Sequence, residues 1–112
     1  MLTAVNWRAV LGWIALAFAV LEIVSVLAID VPAAVGGGFA LLFVAGWYWL
    51  RRGGIGGVAL IGVLCLLELV GVPFFARPST LHVVLQVAAV VLGLAGVIAA
   101  IIALRYRAAV SA

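Results

Sequence analysis

Four apolar runs, Ala9 to Ile29, Val31 to Leu50, Ile55 to Ala76 and Leu81 to Leu104, take up almost the whole chain. Each is close to the roughly 20 residues that carry a helix across about 30 Å of hydrocarbon. With 71% hydrophobic and 8% charged residues among 112, and a mean hydropathy of +1.54, the chain is too apolar for a soluble domain of this size. The expectation is therefore an all-α integral membrane four-helix bundle. It forms a single domain over 1–112, with helices at about 9–29, 32–50, 55–76 and 80–104. The first run exceeds the roughly 7 to 15 apolar residues of a signal-peptide core and contains Glu22, so it is read as a helix.

Charge orients the helices. The net charge of +3 and pI of about 10.0 could suit nucleic acid, but all six basic residues are arginines flanking the apolar runs, and no nucleic-acid partner is expected. Arg8 precedes the first run, Arg51 and Arg52 separate the second from the third, and Arg105 and Arg107 follow the fourth; only Arg77 lies between the third and fourth. The positive-inside rule then puts both termini and the central turn in the cytoplasm, and the strength of the bias argues against dual topology. Trp7, Trp13, Trp47, Tyr48, Trp49 and Tyr106 fall on that same side as an interfacial aromatic belt. A ligand cage of Trp47, Tyr48 and Trp49 is disfavoured because consecutive helical residues point in different directions. The absence of Lys, with abundant Ala, Val and Gly, suggests a GC-rich bacterial genome, hence a bacterial inner membrane with the lipid bilayer as first partner.

Two carboxyls interrupt the apolar runs. Ionised carboxylates at a helix centre cost roughly 2.5 to 3.5 kcal/mol on insertion scales, so Glu22 and Glu68 demand a reason. They lie 46 residues apart in similar settings, Leu21-Glu22-Ile23-Val24-Ser25-Val26 and Leu67-Glu68-Leu69-Val70-Gly71-Val72, and Pro32 and Pro78 share that offset. The pattern reads as two copies of a helical hairpin, over about 9–52 and 55–107. Related by an axis along the membrane normal, the hairpins would bring the two acids to one depth. His82 and Gln86, four residues apart on one face of the last helix, and Ser25, three residues from Glu22, extend the cluster, with Arg77 at its rim. Pro73 leaves the Leu69 carbonyl without its usual donor, adding polarity beside Glu68.

Such a pair titrates as a unit, because the first ionisation opposes the second, and at neutral pH at least one proton stays. Glu22 and Glu68 are thus candidate proton donors and acceptors, with Gln86, His82, Ser25 and Arg77 as candidate ligand contacts. No metal site or cofactor is expected, since no Glu/His pair sits at i, i+3 or i, i+4 on one helix, and no CxxC, phosphate loop or Ser-His-Asp elbow occurs. Cys65, the sole cysteine, is read as small apolar packing. Gly36-Gly37-Gly38 is read as a closely packed helix start, with an unwound cavity-lining segment as the alternative. Gly53/Gly57, Ala95/Ala99/Ala103 and Gly96/Ala100 are small-residue spacings that mark helix contacts within or between chains.

The stretch from Leu67 to Gly96, LELVGVPFFARPSTLHVVLQVAAVVLGLAG, resembles the DoxX-like four-helix membrane proteins. That likeness implies an accessory role beside membrane oxidoreductases. The first helix, with Leu21-Glu22-Ile23-Val24-Ser25, resembles that of small multidrug resistance transporters, which implies exchange of protons for lipophilic cations at Glu22. Paired intramembrane acids also occur in terpenoid cyclases, where one protonates an olefin or epoxide. Three functional classes therefore stand open. The chain binds or translocates a proton, a cation or a lipophilic small molecule; it is an accessory or structural subunit; or it is an isomerase or cyclase using a buried Glu as general acid. Four short helices enclose little volume, so a homo-oligomer or a larger membrane complex is expected.

Overall fold

A computed structural model of the chain describes residues 6–28, 31–71 and 79–111, with side chains to Arg105. The described residues form four helices: α1 (Trp7–Ala28), α2 (Ala33–Arg51), α3 (Ile55–Gly71) and α4 (Thr80–Ser111). Among them α1, α2 and the Thr80–Arg105 part of α4 are long and apolar enough to cross a membrane, and α3 is a shorter apolar helix of 17 residues. Asp30, Pro73, Arg77 and Pro78 lie outside the described residues, as do the side chains of Tyr106 and Arg107. Helix α4 continues seven residues beyond the expected end at 104. Arg105 to Ala109 contains no Gly or Pro to stop it, and hydropathy marks where hydrocarbon ends rather than where a helix does.

Helices α1 and α4 are capped by side chains the sequence places just before them. Asn6 Oδ1 accepts the Ala9 N–H at 3.1 Å, and Ser79 Oγ accepts the His82 N–H at 3.3 Å, each side chain satisfying an orphan donor of the first turn. Helix α2 follows Pro32, whose carbonyl accepts the Val35 and Gly36 N–H groups at 3.0 Å. It ends at Gly53, whose N–H donates to Leu50 O at 3.1 Å and whose φ of 88° is left-handed. An L side chain there costs roughly 1 to 2 kcal/mol. Gly53→Ala should therefore lower the thermal midpoint in detergent through the turn alone, since a Cβ at Gly53 meets nothing within 4 Å. An unchanged melting curve would mean the turn is not left-handed.

The helices form a ring. Helix α1 packs on α2 and α4, α3 packs on α2 and α4, and α1 touches α3 only across the diagonal. The bundle measures 49 × 25 × 19 Å. Lipid tails are as apolar as leucine, so helices hold together in a membrane through close packing rather than hydrophobic expulsion. Small residues supply that closeness within the chain. A Cβ on Gly57 would lie 2.5 Å from Leu50 N, one on Gly46 would lie 2.8 Å from Ile61 Cγ1, and one on Gly62 would lie 2.8 Å from Ala100 Cβ. Gly96 rests against the Cys65 sulfur. The Gly57, Gly96 and Ala100 positions thus serve intrachain contacts.

The two hairpins bury matching positions. All five buried residues of α3, Gly57, Val58, Ile61, Leu64 and Cys65, fall 46 residues after buried residues of α1, namely Leu11, Gly12, Ala15, Phe18 and Ala19. The same offset relates Glu22 to Glu68. Correspondence is looser between α2 and α4, where buried Ala40 matches half-buried Gln86.

Candidate functional site

The acids meet on the bundle's α1–α3 diagonal. Glu22 is buried, at 8% exposure, and half-buried Glu68 lies beside it, the two carboxyls close enough to interact directly. A carboxylate only accepts, so two carboxyls so placed can bond to one another only when at least one carries a proton. Among the described residues no buried side-chain N or O atom lacks a partner.

Local packing explains the arrangement. Gly36 lets α2 close against α1 at the acid: a Cβ there would fall on Val26 Cγ2, 3.2 Å from Glu22 O and 3.6 Å from Glu22 Oε2. Helix α2 is regular from Ala33 onward, so Gly36-Gly37-Gly38 is a packed helix start and not an unwound segment. Gly37 and Gly38 face open space.

One turn toward the arginine-rich end, Phe18 and Phe43 stack with ring centroids 4.8 Å apart and planes within 8°. With Leu11, Val58, Ile61, Leu64 and Cys65, all at 3% exposure or less, they fill the bundle interior on that side of the acids. The pair therefore sits on a dry floor. Cys65 is part of this floor, as its reading as apolar packing expects.

The remaining candidates divide. Ser25 is buried, and its hydroxyl donates to Leu21 O at 2.8 Å, so the hydrogen is committed to its own helix. His82 Nδ1 lies 2.6 Å from Ser79 Oγ, which ties the imidazole to the cap of α4. Gln86, half-buried one turn further along α4, is engaged with a partner of its own. Arg77 lies outside the described residues. Among those residues no three His, Cys, Asp or Glu side chains cluster as metal ligands.

A second polar feature, absent from the sequence reading, lies at the arginine-rich end. Arg8 Nη2 donates to Leu50 O at 2.8 Å and to Gly54 O at 3.3 Å, capping the last carbonyls of α2 and holding the turn into α3. Arg51 lies over the Trp47 ring at 5.2 Å, and Arg52 lies over Tyr48 at 5.7 Å while donating to its hydroxyl at 3.1 Å. The three consecutive aromatics diverge: Trp47 covers Gly12, Tyr48 meets Arg52, and Trp49 covers Gly54 and Gly56. They form no cage.

Comparison with family models, curated proteins and solved structures gives no match, so the functional reading rests on these residues.

Proposed function

We propose that the chain is a four-span protein of a bacterial inner membrane, arginine-rich end inside, whose Glu22–Glu68 pair exchanges a proton for a lipophilic cation. The carrying observation is the juxtaposition of the two carboxyls, Glu22 buried and Glu68 half-buried beside it, inside an otherwise apolar bundle. A pair holding two protons is neutral and suits hydrocarbon. Releasing one as a monovalent cation enters leaves the site neutral again, so exchange avoids an uncompensated buried charge. Glu68, the more exposed member, is the one a ligand reaches first, and the Phe18/Phe43 floor keeps the site closed toward the inside. The resemblance of the first helix to small multidrug resistance transporters points the same way.

The burial of Glu22 and its closeness to Glu68 favour a second reading, in which the acids pin helices together in an accessory subunit. Such a pin is worth about 0.6 to 2 kcal/mol, and the DoxX-like stretch suits it. Proton release separates the two. Adding tetraphenylphosphonium to the purified detergent-solubilised chain should release about one proton per cation bound, and Glu22→Gln or Glu68→Gln should abolish release while keeping a side-chain hydrogen bond. A wild type that binds no cation and releases no proton, with Glu22→Leu and Glu68→Leu both lowering the thermal midpoint, would replace exchange by the pin.

A further inference from the structure

Among the described residues the arginine-rich end holds no acidic side chain to offset its positive charge. The three acids of the chain are Glu22, Asp30 and Glu68. Along α1 the nearest to Arg8 is Glu22, fourteen residues on and so about 21 Å away, well beyond the screening length of about 8 Å at physiological salt. Among the described residues no carboxylate pairs with Arg8, Arg51 or Arg52.

That charge surrounds a cleft. Between the start of α1 and the end of α2 lies a hollow of about 250 Å³ lined by Asn6, Arg8, Ala9, Gly12, Trp47 and Arg51, with Leu50 beside them. Its chemistry is that of an anion seat. Arg8 uses one nitrogen, Nη2, for both carbonyls, which leaves the N–H groups of Nη1 and Nε as donors. Arg51 contributes a second guanidinium, held over Trp47, and the Asn6 amide nitrogen contributes a further donor while its oxygen caps α1. The first turn of α1 adds the positive end of a 22-residue helix. Planar guanidiniums match phosphate oxygens in pairs.

We propose that this cleft binds the phosphate headgroup of an anionic membrane phospholipid. The lipid source, rather than free phosphate, follows from the walls. Gly12, Leu50 and the Trp47 ring make the cleft's inner side apolar, and Trp13, beside Gly12 on α1, is 73% exposed, a large ring available to acyl chains next to the cleft. The inference is independent of the acid pair.

The test uses the full chain in detergent and native mass spectrometry, with phosphatidylglycerol, phosphatidylcholine and inorganic phosphate as probes. Wild type should retain one phosphatidylglycerol in preference to phosphatidylcholine, with millimolar phosphate displacing little of it. Arg51→Gln should weaken that retention about fivefold, the loss expected for one basic residue near a membrane surface. Arg105→Gln, which removes an equal charge from α4 outside the cleft, should change retention less than twofold. Arg51 makes no backbone hydrogen bond through its side chain, so its variant should melt with wild type, which keeps binding loss apart from unfolding. Equal loss in both variants would show a diffuse charge effect, and equal retention of phosphatidylcholine would show no headgroup recognition. Efficient displacement by inorganic phosphate would assign the cleft to free anions. Each of these overturns the proposal.

Discussion

Replacing Gly57 by alanine is expected to destabilise the bundle by about 1 to 3 kcal/mol, the usual range for overpacking. The new Cβ would lie 2.5 Å from Leu50 N, 2.8 Å from Leu50 Cα and 3.1 Å from Gly46 O. These are backbone atoms of α2, and no rotamer change moves them aside, so α3 must lift from α2. In lipid this loss is direct, because close approach is itself the main attraction between helices. Gly36→Ala should also cost stability, since its hardest contact is a methyl of Val26, a β-branched side chain that a helix holds in one rotamer, with Glu22 O at 3.2 Å behind it. Alanine at Gly37 or Gly38 meets nothing and should raise stability by up to about 1 kcal/mol through helix propensity. Circular dichroism melts of the four variants in one detergent would give the order. A Gly57→Ala protein as stable as Gly37→Ala would refute the packing of α2 on α3.

Phe18→Ala should cost about 2 kcal/mol and also open the floor beneath the acids. In a bilayer the removed ring loses no transfer energy, since lipid would have solvated it equally, so the cavity alone counts. At about 24 cal/mol per Å3, a void of about 100 Å3 yields that figure. The functional effect follows from position. Phe18 precedes Glu22 by one turn and stacks on Phe43, so its loss leaves a void directly beneath the carboxyl pair and thins the apolar barrier there. Proteoliposomes loaded with a pH-sensitive dye should leak protons faster with Phe18→Ala than with wild type, and Phe18→Ala/Glu22→Gln should restore tightness. Leakage that persists in the double variant would mean that protons bypass the acids.

The helices themselves were legible because apolar runs of spanning length leave a chain few options but the helix. The acids were legible as well, since a carboxyl within hydrocarbon is conspicuous and its recurrence at one offset pairs Glu22 with Glu68 across two hairpins. Finer features depended on competition between local and distant hydrogen bonds. Depth along a helix places Ser25 and His82 near the acids, yet Ser25 donates to the Leu21 carbonyl and His82 leans on Ser79, both within four residues. The Arg8 interaction left no mark in the sequence, because its acceptors are main-chain carbonyls, which every residue possesses. Likewise, three adjacent glycines read alike, and only the helical rotation between them decides that Gly36 alone meets α1.

The Arg8 interaction also bears on how the chain is made. Its acceptors, Leu50 O and Gly54 O, lie 42 and 46 residues downstream, so the guanidinium waits through synthesis of α1 and α2 before either exists. When residues 50 to 54 emerge, one side chain seals the first hairpin and fixes the bend from which α3 departs. One guanidinium thus ties the first helix to the end of the second and to the bend from which the third departs.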